Sequence, residues 1–159
     1  MKMMLYGILI ALSLLVPTRP LELGKLKPVE LIRIDKTGDR ILIETDTGEW
    51  GQGMTVNQAI RDLQDTTAGT VYLDTAEYVL LPEDENLLHQ MEPYLRGTVG
   101  LCRWEGEIKL DEAAKYLDAH KPATKLKAYQ SGMQLETLTG ENGRLHLEKY
   151  NTKEVEKTS

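Results

Sequence analysis

The stretch from Gly51 to Leu81, GQGMTVNQAIRDLQDTTAGTVYLDTAEYVLL, changes its apolar period partway along, and that change restricts the chain to folds in which a helix packs on a sheet. Thr55 and Gln58 have the spacing of a capping box, in which each side chain serves a backbone N–H of the other's turn. Val56, Ala59, Ile60 and Leu63 then fall at i, i+3, i+4 and i+7, with Asn57, Arg61, Asp62 and Gln64 opposite, which predicts an amphipathic helix. Gly69 breaks it, and Thr70 to Leu73 and Tyr78 to Leu81 read as strands before Pro82.

On either side of this unit the same rules give the remaining layers. Val29 to Asp35 and Arg40 to Asp46 are β-branched runs joined by Lys36-Thr-Gly-Asp39, a hairpin signature. Asp84 is a candidate cap for a helix carrying Leu87, Leu88, Met91 and Leu95, which Pro93 should end or kink near Glu92. Thr98 to Trp104 predicts a strand. Asp111 is a candidate cap for a third helix, Glu112 to His120, with Ala113, Ala114 and Leu117 inward, and Pro122 stops it. Thr124 to Gly132 allows a short helix or a strand, with helix preferred; Glu141-Asn-Gly-Arg144 reads as a turn, and Arg144 to Tyr150 as a closing strand. The expected fold is α+β: a compact mixed sheet with about three helices on it over residues 29–150, with room for two small lobes meeting near 82–97. The polar residues 151–159 are expected to be a disordered tail.

The first sixteen residues decide the expected compartment. Lys2 precedes an unbroken apolar run from Met3 to Val16 that ends at Pro17 and Arg19. That run is short for a spanning helix and long enough for a signal h-region. No small-x-small cleavage site follows, which favours an uncleaved anchor over residues 1–18, with secretion after cleavage as the alternative. Residues 19–28, with two prolines and a glycine, read as a juxtamembrane linker. Cys102 is the only cysteine, so an internal disulfide is excluded; alternating with Gly100 on a strand, it reads as a buried thiol. The chain has no Phe and a formal net charge of −6, with Lys and Arg scattered among carboxylates. Binding to nucleic acid is therefore not expected, because it needs clustered cations to displace counterions.

Several residue groups resemble sites and are better explained otherwise. Asp46-Thr47-Gly48 spells the aspartic-protease triplet, but charged and polar residues flank it and no second copy exists, so a hairpin turn accounts for it. The carboxylates Glu44, Asp46, Glu49 and Glu83, Asp84, Glu85 do not follow the order of a calcium loop and read as solvated faces. His89, His120 and His146 are isolated, so no zinc site or catalytic triad is expected. Gly51-Gln-Gly53 lacks the third glycine and the cation of a phosphate cradle, and is read as a sharp strand-to-helix passage beside Trp50. No cofactor is expected. Trp50, Tyr72, Tyr78 and Trp104 are the candidate ligand or interaction surface, although core burial is the default for Trp50 and Trp104.

The pattern Gly51-x-Gly53-x-Thr55, Ala59, Leu63, a glycine turn and Tyr72 resembles a segment of the Ger(x)C-like C subunits of bacterial spore germinant receptors. This chain lacks their lipid-accepting Cys and is about half as long. It also resembles short uncharacterised membrane-anchored proteins of Firmicutes, through the linker from Arg19 to Pro28 and the strand from Leu73 to Tyr78. These resemblances imply an envelope or spore setting and no activity. The expectation is a membrane-anchored extracytoplasmic binding or assembly module, held in the membrane by its N-terminal helix and engaging another envelope protein. The alternative is a small exported hydrolase using Asp46 as a carboxylate.

Overall fold

The computed structural model describes residues 26–149, and the expected anchor, most of the linker and the expected tail lie outside them. The described chain is an α+β fold built on a seven-stranded mixed sheet. In chain order the strands are β1 (Leu26–Pro28), β2 (Leu31–Thr37), β3 (Arg40–Thr45), β4 (Trp50–Gly53), β5 (Thr70–Tyr72), β6 (Tyr78–Leu81), β7 (Gly100–Gly106), β8 (Thr137–Glu141) and β9 (Arg144–Glu148). The helices are α1 (Val56–Thr66), α2 (Glu85–Met91) and α3 (Leu110–Ala119). The sheet order is β4-β3-β2-β6-β7-β8-β9, and β1 and β5 form a separate parallel pair. The inner strands β2, β6, β7 and β8 run parallel, and an antiparallel hairpin partner extends each flank. Because β6 pairs with β7, the sheet is continuous across residues 82–97.

Two apolar layers sandwich this sheet. On one face Ile32, Ile34, Ile41, Ile43, Val79 and Leu101 meet Ala59, Ile60 and Leu63 of α1 and Leu87, Leu88 and Met91 of α2. On the other, Leu31, Tyr78, Leu80, Cys102 and Leu138 meet Ala113, Ala114 and Leu117 of α3. The period-2 alternation along each strand divides its side chains between the two layers, as pleating requires.

The predicted α1 forms with the predicted cap: Thr55 Oγ1 accepts the Gln58 N–H, and Gln58 Oε1 accepts the Met54 N–H. Asp84 caps α2, and Pro93 converts its end into one 3₁₀ turn, Glu92–Tyr94. The hairpin β8–β9 turns on Asn142 and Gly143, both at positive φ, which Asn and Gly tolerate best. Four expectations are corrected. Leu26–Pro28, read as linker, pairs in parallel with Thr70–Tyr72. The α3 cap is Lys109, two residues ahead of the expected Asp111, which instead sits in the first turn beside the helix dipole. Residues 124–132 contain one 3₁₀ turn, Leu126–Ala128, because Lys125 bridges to Gly100 at the start of β7, which holds the residue before the turn extended. The strand predicted at 98–104 runs from Gly100 to Gly106.

On each margin of the sheet one backbone N–H is capped by a helix side chain. The outward Gln52 N–H of β4 donates to Asp62 of α1 at 2.9 Å, and the Leu147 N–H of β9 donates to the Tyr116 hydroxyl of α3 at 3.2 Å. Filling the free N–H of an edge strand blocks edge-to-edge pairing with another sheet.

Candidate functional site

The four aromatic residues of the candidate surface do not converge. Tyr78 is buried in the α3 layer at 3% exposure, where burial pushes its hydroxyl pKa up. Tyr72 stands on β5, paired in register with Pro28, where the chain enters the domain. Trp104 is half-buried against the α3 layer, and its Nε1–H donates to the Ile34 carbonyl at 3.4 Å. Trp50 is 54% exposed on the margin strand β4, against the default of core burial.

Trp50 and Trp104 are nevertheless linked across the sheet. Trp50 pairs in register with Glu44, and Glu44 with Arg33. Arg33 Nε donates to Glu44 Oε2 at 2.8 Å, its Nη2 makes a second bond to the same oxygen, and its guanidinium lies 4.9 Å from the centre of the Trp104 ring. The result is a ladder, Trp50, Glu44, Arg33, Trp104, on the face that α3 only partly covers. Its inner end is an ion pair stacked on an aromatic ring, which is worth more where water is partly excluded. Its outer end is an exposed indole.

Two open grooves lie along the β4 margin, and the smaller of them is lined by that indole. One, of about 640 Å³, is lined by Arg40, Gln52, Met54, Gln58, Arg61 and Asp62 among others; the second, of about 270 Å³, runs past Glu49, Trp50 and Thr66 to Ala68. Met54, 70% exposed, stands at the far end of β4 from Trp50. Nothing in the sequence pattern marked Met54, since its exposure depends on α1 folding back over β4 and leaving the connecting turn proud.

The glycines beside Trp50 have a packing role. A Cβ on Gly51 would lie 2.3 Å from the Ala59 carbonyl oxygen and 2.3 Å from the Leu63 nitrogen, and one on Gly53 would lie 2.6 Å from the Ala59 nitrogen. Helix α1 therefore rests directly on the backbone of β4, a closer contact than the strand-to-helix passage read from the sequence. Asp46 is part of the frame: its Oδ1 accepts the N–H groups of Glu30 and Leu31, both at 3.0 Å. Thr47 and Gly48 complete the turn, Gly48 at positive φ. Cys102 is fully buried, its thiol pushed up to about 12 by burial, so the thiolate that nucleophilic chemistry needs is suppressed. Among the described residues no three His, Cys, Asp or Glu side chains are grouped to hold a metal ion.

A second region became visible only in the fold. Beyond the reach of α1 and α2, the sheet face carrying Arg103, Thr137, Thr139, His146 and Glu148 is polar and open. Comparison with known proteins yields no match to a family model, a curated protein or a solved structure.

Proposed function

We propose that this chain is a membrane-anchored, extracytoplasmic binding or assembly module that docks another envelope protein through the β4 margin. The observation that carries the reading is Trp50, an exposed indole braced from behind by the Glu44–Arg33–Trp104 ladder, lining one groove of the β4 margin with a second, larger groove further along the same strand. Trp, Met and Arg are the residue types enriched in protein interfaces, and a few such anchors carry most of the affinity. Met54 supplies a second apolar contact, and Arg40, Arg61 and Asp62 a polar rim. The membrane attachment rests on the apolar run from Met3 to Val16, which lies outside the described residues; none of the described helices is long and apolar enough to cross a bilayer. The envelope and spore setting rests on the resemblances carried by residues 19–28 and 51–78.

The test is a photo-crosslinking amino acid at position 50 in the full chain, expressed in cells of its own source. A discrete adduct is expected there, absent with the same probe at His146 on the opposite margin and lost on adding Met54→Glu. Equal labelling at both positions, or none at position 50, removes the docking assignment. Alkaline extraction of the membranes separates an anchored protein, which stays in the pellet, from one released after cleavage.

A further inference from the structure

On the open half of the sheet, Arg103 is half-buried; its charge helps to hold the Glu85 carboxyl down, but among the described residues its guanidinium donates no hydrogen bond and touches no carboxylate. The direct hydrogen bonds of Glu85 go to other groups: it accepts the Ser131 hydroxyl at 2.7 Å and the Gly132 N–H at 3.1 Å. Arg103 and Thr137 are direct register partners, so they share one face of the sheet. They line a groove of about 470 Å³ with Gln134, Leu135 and, at its rim, the exposed Glu83. Leu135 is buried to 6% exposure, giving this groove an apolar wall.

A partly desolvated guanidinium with five donors is completed by a planar acceptor of opposite charge. We propose that the Arg103 groove binds a carboxylate carrying an aliphatic chain: the two oxygens lie on the guanidinium fork, Thr137 and Gln134 hydrogen-bond the same head group, and the chain lies on Leu135. Glu83 and Glu85 nearby repel a dianion more strongly than a monoanion, which selects carboxylate over phosphate. The carboxylate belongs either to a small free acid or to the C-terminus of a peptide. This inference is independent of the β4 docking surface, since the groove lies toward the other margin of the sheet.

The full chain in detergent micelles is titrated with butyrate, N-acetyl-alanyl-leucine, the corresponding C-terminal amide and inorganic phosphate, following backbone amide NMR signals. Both acids are expected to shift the Arg103 and Thr137 signals saturably, with roughly millimolar affinity for so small a contact. Tighter binding of the dipeptide acid identifies a peptide C-terminus, and tighter binding of butyrate a small acid. Arg103→Gln should abolish the response, and Arg103→Lys should weaken it severalfold because the fork is lost. Thr137→Val, a nearly isosteric change that leaves the guanidinium in place, should weaken it severalfold and keeps the test usable if the Arg103 variants misfold. Equal binding of the amide, tighter binding of phosphate, an unchanged response in folded Arg103→Gln, or no saturable shift with either acid overturns the assignment. Crosslinking from position 50 is expected to be unaffected by Arg103→Gln, so the two proposals fail separately.

Discussion

Asp46 and Leu31 are joined twice: the Asp46 N–H donates to the Leu31 carbonyl at 3.1 Å, and the Leu31 N–H donates to Asp46 Oδ1 at 3.0 Å. The same oxygen takes the Glu30 N–H, so one carboxylate ties the end of β3 to the start of β2. Asp46→Ala leaves two backbone donors without this acceptor and should cost about 1–2 kcal/mol, a lower loss than full burial would give because water reaches a half-buried site. Asp46→Asn keeps a carbonyl acceptor and should cost less than about 1 kcal/mol. Chemical denaturation of both variants measures this; equal losses would show that charge, and not the acceptor, is what matters.

Gly51 lies under α1, and the atoms a Cβ would strike are backbone, which have no rotamer to change. Gly51→Ala should therefore destabilise the domain by about 3 kcal/mol or more. Gly97→Ala is the control. Its Cβ would meet only the Lys127 Cβ at 3.3 Å, at a φ open to any residue, and the change should be within about 0.5 kcal/mol of neutral. A mild Gly51→Ala would mean that α1 shifts off β4 at little cost.

Acid should loosen the contacts around the start of α2. The Ser131 hydroxyl, then the Gly132 N–H, hold the Glu85 carboxyl below its ordinary pKa, and the hydrogen bond from Lys36 holds Asp84 below its own. Groups depressed in the folded state add stability that is complete above the unfolded pKa, near 4, and is lost as pH falls through the folded value. Tm should thus be level at neutral pH and fall on acidification below about 4. Glu85→Gln should lower Tm at pH 7, and its difference from the wild type should shrink in acid. A difference that stays constant with pH would place the Glu85 contribution in packing.

Cys102 should resist modification in the native protein. Burial, with a smaller effect from Glu136, pushes its thiol up to about 12, so almost no thiolate exists at pH 8. A disulfide reagent such as dithionitrobenzoate should react only as fast as β7 opens, and at once in denaturant. Free-thiol reactivity in native buffer would show that β7 is exposed.

The elements legible in advance were those whose signals are local. Thr55 and Gln58 mark the α1 start because the cap bonds span three or four residues, and Asn142-Gly143 marks its turn because few residues accept that backbone. The strand β4 escaped because Trp50-Gly-Gln-Gly53 has almost no side chains to alternate; its strand character comes from pairing with β3 and from the helix above it. Leu26–Pro28 looked like linker for the same reason: its pairing partner is Thr70–Tyr72, far along the chain. The candidate surface fared less evenly. An aromatic side chain has the same letter in a core and on a margin, and Tyr78 went inside while Trp50 went outside because β6 is central and β4 terminal in the sheet.

By itself, then, the amino-acid order determined which segments become helices and hairpins, which faces of α1, α2 and α3 turn inward, and that Asp46-Thr47-Gly48 makes a turn. Those outcomes depend on periods and hydrogen bonds a few residues long. The tertiary structure alone decided that α1 rests on a glycine backbone, that Arg33 bridges the two tryptophans, and that Glu85 gives its hydrogen bonds to Ser131 and Gly132 and none to Arg103. Each of these depends on strand order and register, which bring together residues that sequence spacing keeps apart.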